Sequence, residues 1–468
     1  MNIFSLFTLC GGLAFFLYGM TVMSKSLEKM AGGRLERLLK RMTSNPIKSL
    51  LLGAGITIAI QSSSAMTVML VGLVNSGVME LGQTIGVIMG SNIGTTLTAW
   101  LLSLTGIESE SFFVNFLKPK NFSPLLALVG ILLIMASKKQ RRRDVGRVMM
   151  GFSILMYGME LMSGAVAPLA DMPEFTDLMT AFTNPLLGVL VGAAFTGIIQ
   201  SSAASVGILQ ALAMTGSVTY GMAIPIIMGQ NIGTCVTALI SSIGVSRNAK
   251  RVSVIHISFN LIGTIVGLVV LYGGNLLFGF AFLTETVNAV GIAFCHTIFN
   301  VCTTLLLLPF TRQLEWLAKK AISTEDKPSD FAFLDPRLLR TPGVAVNECA
   351  SMVNQMGALA QASVNLVLEQ FLQYTEAREE KIVSNEDKLD IYEDRLGGYL
   401  VQISQHGTSA DDNRTISRLL HAIGDFERIG DHILNLQQSA KELHDKQLRF
   451  SDTARDELGV LTHLMQDI

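Results

Sequence analysis

Two short polar motifs each occur twice in an otherwise apolar stretch of chain. The first is Gln61-Ser62-Ser63-Ser64, matched by Gln200-Ser201-Ser202-Ala203. The second is Met89-Gly90-Ser91-Asn92-Ile93-Gly94-Thr95, matched by Met228-Gly229-Gln230-Asn231-Ile232-Gly233-Thr234. Serine hydroxyls can donate to the oxygens of an anion, and a helix that starts at such a motif adds free N–H groups and a positive dipole end. The amide and hydroxyl oxygens of Gln61, Asn92, Thr95, Gln200, Asn231 and Thr234 suit a hard monovalent cation. Neither motif contains Lys or Arg, so an anion held there depends on dipoles, hydroxyls and co-bound cations. A third candidate set lies near the C-terminus, where Glu386 and Asp390, and Glu427 and Asp431, are each spaced by four residues. That spacing puts each pair on one helix face. Facing pairs can make an oxygen-rich metal site, although the spacing alone is more often a solvated face.

The elements that must carry the first two motifs are themselves repeated. Residues 45–104 align with residues 184–243 at a constant offset of 139, without gaps and with 26 of 60 positions identical. Upstream, Tyr18-Gly19-Met20 matches Tyr157-Gly158-Met159 at the same offset. The apolar segments flanking each Gln-Ser-Ser reach only roughly 21 Å as helices, short of a ~30 Å hydrocarbon core. They are expected to pair as re-entrant hairpins with Gln-Ser-Ser at the tip. Segments 83–104 and 223–243 are long enough to cross, and their glycine-rich stretches, Gly90–Thr96 and Gly229–Thr234, are expected to break each helix.

Composition supports a membrane setting. Half of the 468 residues are hydrophobic, 15% are charged, and the mean hydropathy is +0.46. A soluble chain carries about 25% charged residues, so an ordinary cytosolic enzyme is excluded, and so is intrinsic disorder. A net charge of −2 gives no field for nucleic acid. The five cysteines lack CxxC spacing and read as packing residues. Neither a nucleophile–base set nor a nucleotide loop is visible, which disfavours an enzyme. No basic region precedes apolar residues 3–23, so they read as a first membrane helix rather than a signal peptide.

Charge placement gives a topology. With the N-terminus outside, the clusters Lys25–Lys48, Lys138–Arg143, Arg247–Arg251 and Arg312 all fall on the cytoplasmic side, while Glu108, Glu174 and Glu285 fall outside. Segment 123–136 must then cross, although it is short. Each repeat crosses an odd number of times, so the second is inverted, and inverted repeats with interrupted helices meeting near the midplane are the architecture of secondary transporters.

The composition changes near residue 311. The expected layout is all-α. A polytopic membrane domain spans 1–310, with repeat 1 over about 3–136, repeat 2 over about 146–273 and a further helix over 286–310. A linker follows over 311–343, with Pro328, Pro336 and Pro342. A soluble cytoplasmic domain covers 344–468, where helical periodicity over Val344–Tyr374, Ile382–Ile403 and Ile416–Leu443 predicts a three-helix bundle. The chain ends at Ile468 inside another helical pattern.

The paired Gln-Ser-Ser motifs, each followed by Met-Gly-x-Asn-Ile-Gly-Thr, resemble those of the type II sodium-phosphate cotransporters. His256-x-x-Phe259-Asn260 and His296-x-x-Phe299-Asn300 resemble the His-x-x-Phe-Asn element of that family. The resemblance covers about residues 1–310. It implies sodium-coupled movement of inorganic phosphate across a bilayer, with phosphate lined by Ser62, Ser63, Ser64, Ser201, Ser202, Gln61 and Gln200. Sodium would be held among Gln61, Asn92, Thr95, Gln200, Asn231 and Thr234. The chain departs from the pattern at Ala203. It also has Ile257 and Thr297 where electrogenic vertebrate members carry Asp, leaving the number of sodium ions open.

Arg428-Ile429-Gly430-Asp431-His432, with Asn435, resembles the PhoU family of phosphate-signalling helical proteins. That resemblance implies a divalent or iron cation held by Glu386, Asp390, Glu427 and Asp431, and a regulatory protein partner or self-association through this domain. Competing readings are transport of another oxyanion or a carboxylate, phosphate efflux, and a phosphate sensor without net transport.

Overall fold

The structure, a computed structural model, describes residues 3–31, 45–75, 79–104, 119–172, 183–323, 334, 336–340, 342–405, 408 and 410–467. Among them no strand forms, and the chain divides into two compact units, Met1–Thr341 and Pro342–Ile468. The first unit contains α1 (Ile3–Ala31), α2 (Pro46–Ile60), α3 (Ser63–Asn75), α4 (Leu81–Ser103), α5 (Pro119–Ala136) and α6 (Gln140–Val166). It continues with α7 (Pro185–Ile199), α8 (Ser202–Ala213), α9 (Tyr220–Ser241), α10 (Arg247–Leu268), α11 (Ala289–Leu307) and α12 (Thr311–Ala321).

The duplicated sequence folds twice in the same way. Asn45 caps α2 by accepting from the Ile47 and Lys48 N–H groups at 2.9 and 3.4 Å. Asn184 caps α7 on the Leu186 and Leu187 N–H groups at 3.0 and 3.4 Å. Proline follows in each first turn, where its missing N–H costs nothing. Both helices end on a glutamine in the left-handed region, Gln61 at φ 53° and Gln200 at φ 56°, and the chain turns back into α3 or α8.

Glycines set how these elements meet. A Cβ on Gly12 would lie 2.9 Å from the Gly158 carbonyl oxygen, and one on Gly151 would lie 2.8 Å from that of Gly19. Gly12 and Gly19 are the repeat equivalents of Gly151 and Gly158, so α1 and α6 cross antiparallel about a two-fold axis. That relation is the inversion expected from the charge pattern.

The expected helix breaks at the second motif are not present: α4 and α9 run unbroken through it. Its glycines serve packing instead. A Cβ on Gly90 would lie 1.9 Å from the Leu50 carbonyl oxygen, and one on Gly229 would lie 2.1 Å from that of Val189, again at the same offset. The polar side chains are absorbed by the helix that carries them. Asn92 and Asn231 donate to the carbonyls of Ile88 and Ile227, and Thr95 and Thr234 to those of Ser91 and Gln230. Between α2 and α4, and between α7 and α9, the described chain turns back at the hairpin tips instead.

Six helices among the described residues are long and apolar enough to cross a membrane: Phe4–Met30, Leu81–Ser103, Gln140–Leu169, Tyr220–Ser241, Arg247–Phe278 and Ala289–Ala321. The apolar run of α5 falls among the shorter helices. It packs on α6 where Gly130 meets Gly146. Large apolar side chains cover the outside, including Phe7, Leu128, Leu132, Met135, Leu190, Ile198 and Leu276. An apolar surface of that extent requires a bilayer.

Residues 311–321, which composition placed in a linker, form α12. Leu314 and Ala318 are buried there, and Arg251 of α10 donates twice to the Ile322 carbonyl at 3.0 and 2.7 Å. Pro336–Arg340 forms a 3-10 turn packed on α3, with Leu338 and Leu339 buried.

The second unit contains α13 (Pro342–Leu372), α14 (Glu376–Ser404), α15 (Ala410–Asp445) and α16 (Asp452–Asp467). The first three pack pairwise into a bundle around Val367, Ile382 and Ile433. Buried polar groups are paired across it, Gln370 with Gln437 at 3.1 Å and Asn385 with Ser363 at 2.9 Å.

Candidate functional site: two hairpin tips on one helix

The left-handed glutamines turn the chain so that the next residues open a new helix. Ser62 accepts from the Ala65 N–H at 3.1 Å, and Ser201 from the Ala204 N–H at 3.2 Å. The first turns of α3 and α8 therefore direct N–H groups and positive dipole ends at the tips. Ser63 is buried, whereas Ser62, Ser64, Ser201 and Ser202 are half-buried.

Both tips touch α1. Ser24 donates to the Ile60 carbonyl at 2.7 Å, beside Gln61. Met20 sulfur accepts from the Ser201 hydroxyl at 4.0 Å. Ser24 and Met20 are four residues apart, so α1 engages the two tips within one turn, about 6 Å of helix. Sequence reasoning missed this helix as part of the site. The signal was present in Tyr18-Gly19-Met20, which lies within the repeat.

The two hairpins are not bonded alike. In the first, Thr57 of α2 donates to Ser91 of α4 at 2.8 Å, and Thr98 of α4 donates to Gln61 Oε1 at 3.0 Å. Hairpin and crossing helix are thus tied at two points. In the second, Thr196 donates to Ser205 at 2.8 Å, a bond that stays inside the hairpin. Gln200 is exposed, and Thr237, the counterpart of Thr98, has a buried hydroxyl without a partner. The Gln230 Oε1 is likewise buried and unpartnered. A cavity of about 220 Å³ separates the elements there, lined by Val191, Phe195, Leu209, Met222 and Gln230.

Asn92, Asn231 and Thr234 are buried and Thr95 is half-buried, all on α4 or α9 and therefore on the helices against which the hairpins pack. His256 and His296 are buried on α10 and α11, outside the hairpins.

The C-terminal carboxylates come together on α14 and α15, where Gly430 lets Leu389 and Glu386 approach. Burial, then Asp390, Asp387, Asp431 and Glu427, push the Glu386 carboxyl above its usual range. Glu427 is raised by burial, then by Asp431, Glu393 and Asp390. Among the described residues, no three Asp, Glu, His or Cys side chains converge closely enough to hold a metal ion. The carboxylates form an acidic surface shared by two helices.

Comparisons with known proteins agree with the membrane geometry. The profile of a family described as Na+/Pi-cotransporter matches residues 15–164 and 155–291, and that of the PhoU domain matches residues 353–440. The chain is 25% identical over 468 residues to a Salmonella typhimurium protein named "Putative inorganic phosphate export protein YjbB", covering 98% of this chain and 82% of the relative. It is 29% identical over 300 residues to "Uncharacterized protein YqeW" of Bacillus subtilis, covering 64% of this chain and 92% of the relative. A 97-residue stretch is 36% identical to "Sodium-dependent phosphate transport protein 2A" of Rattus norvegicus, covering 20% of this chain and 15% of the relative. No solved structure matches.

Proposed function

The chain belongs to the Na+/Pi-cotransporter family, and from that premise we propose that it carries inorganic phosphate across the cell membrane by alternating access, coupled to sodium. The observation that carries the proposal is the pair of inverted hairpins whose Gln-Ser-Ser tips both lie against one turn of α1. Phosphate is held between those tips by the hydroxyls of Ser62, Ser63, Ser64, Ser201 and Ser202, by the amides of Gln61 and Gln200, and by the helix N-termini behind them. Sodium supplies the positive charge that the motifs lack, bound among Gln61, Asn92, Thr95, Gln200, Asn231 and Thr234. The positive-inside rule places the N-terminus outside and the C-terminal PhoU domain in the cytoplasm, where it regulates transport.

A second reading, net export, is favoured by the name of the Salmonella relative, which matches nearly all of this chain. Radiolabelled phosphate flux in proteoliposomes, with sodium gradients of either sign, tests both. Phosphate accumulating in the direction of the sodium gradient supports symport. Sodium-independent outward movement supports export, and tight binding without flux removes transport altogether.

A further inference from the structure

A second polar assembly lies apart from the hairpins. On α10, His256, Asn260 and Thr264 follow one another at four-residue spacing, and α11 repeats the series as His296, Asn300 and Thr304. None of the six is more than 3% exposed. In both series the same three atoms are buried without a partner: the histidine Nδ1, the asparagine Oδ1 and the threonine Oγ1. Each asparagine is held in place, since Asn260 donates to the His256 carbonyl at 3.0 Å and Asn300 to that of His296 at 2.9 Å. Their carbonyl oxygens are therefore fixed, not free to turn to a partner. Six orphaned polar atoms in two matched rows are far from the norm for a packed interior.

The rows lie on one side of a helix pair. A Cβ on Gly263 would meet Thr303 at 2.4 Å, and one on Gly267 would meet Phe299 at 3.7 Å, so α10 and α11 cross antiparallel. Rotation of about 100° per residue turns both rows to the same side of that crossing. α4 and α9 pack on both helices, and Asn260 donates to Cys235 of α9 at 3.3 Å. His256 and His296 each precede their crossing residue by seven positions, one toward each face of the membrane. The combined line is about 20 Å long, roughly two thirds of a ~30 Å hydrocarbon core.

We propose that these six side chains line a buried file of hydrogen-bonded water that passes protons through the middle of the membrane, between the depths of His256 and His296. Successive groups are about 6 Å apart along a helix, and a water accepting one hydrogen bond and donating another spans about that distance. Water both donates and accepts, so it satisfies the asparagine oxygens, the threonine hydroxyls and the imidazole nitrogens together. A bare cation can be ligated by the oxygens and by an imidazole lone pair, but it leaves the hydroxyl protons unpaired. Ionisable groups and water inside a bundle mark proton relays. Fixed charge is kept away: α4, α9 and α11 carry no Asp, Glu, Lys or Arg, and Arg251 on the opposite side of α10 is turned to the Ile322 carbonyl. The titratable neighbour bonded to the line is Cys235.

The test uses the full chain in vesicles loaded with a pH-sensitive dye. A potassium diffusion potential, negative inside, is applied with no sodium or phosphate gradient. Failure of sodium-driven phosphate flux therefore leaves this readout intact. Proton entry is expected above that of protein-free vesicles. The shape-preserving pair Thr264→Val and Thr304→Val is expected to lower the protein-dependent entry at least tenfold while radiolabelled phosphate binding is unchanged. If that pair does not give monodisperse protein, Asn300→Leu alone replaces it. Entry no greater than in protein-free vesicles, with phosphate absent or present on both sides, overturns the proposal. So does entry that these variants retain.

Discussion

At the scale of single residues, the tip serines matter most. Ser63 and Ser202 begin equivalent helices, so Ser63→Ala and Ser202→Ala each remove one hydroxyl facing the proposed anion. A hydrogen bond to a charged group contributes about 1.5–3 kcal/mol, so each variant should bind phosphate roughly 10- to 100-fold more weakly. Equilibrium binding of radiolabelled phosphate, with gel filtration as the folding control, reads this directly, and unchanged affinity in both would remove the tips from the binding site. The motif residues were legible in the sequence because the chain writes them twice. What each side chain bonds to was not, since Thr57 and Thr196 are identical and equivalent yet bond to different helices. Bonding across elements depends on how far a hairpin leans, and local sequence does not encode that distance.

Helix-level features separate two meanings of glycine. A polar, glycine-rich stretch reads as a break when only propensity is weighed. In α4 and α9 the lost propensity is outweighed by close backbone approach, and Gly90→Ala should therefore be severe, because the new methyl would meet backbone that cannot yield. Gly55, on α2, has no atom within 4 Å of an added Cβ. Gly55→Ala should leave the melting temperature of the purified protein unchanged or raised, while Gly90→Ala should lower it or abolish folded yield. Equal tolerance of both would show that the packing is wrong.

In the bundle, spacing of four showed which face each carboxylate takes but not the distance across to its neighbours. The raised Glu386 and Glu427 hold more protons folded than unfolded between their ordinary and raised values. Stability falls as pH climbs through that window, and the repulsion is relieved on acidification. Glu379 acts oppositely, since Lys441 and then Tyr374 hold it below its usual range, and its contribution is lost as pH falls. Glu427→Gln in residues 342–468 should raise the melting temperature by a few degrees at pH 7. That gain should vanish near pH 4, as followed by circular dichroism. An equal gain at both pH values would assign the effect to something other than charge.

For the whole molecule, the inverted repeat was legible because an ungapped offset with identical glycines demands identical packing. The number of crossings was less so, since α5 is long enough for a hairpin partner of α6 but short for a span. Cysteine labelling of intact cells decides the orientation. In a cysteine-free background, Lys139→Cys and Lys250→Cys should react only from the cytoplasm, and Glu285→Cys only from outside. Labelling of Lys250→Cys and Glu285→Cys from one side would mean that α10 does not cross, and the proposed topology would fall.

The unequal bonding of the two hairpins has a consequence for the working cycle. In an inverted pair whose members hold different bonds, each member shows an arrangement that the other could adopt. The first hairpin is latched, with Gln61 closed on Thr98, while Gln200 stands open and Thr237 waits with a buried hydroxyl and no partner. Under the alternating access proposed above, exchanging the two sets of bonds would close Gln200 on Thr237, release Gln61 from Thr98 and turn the site to the opposite side of the membrane.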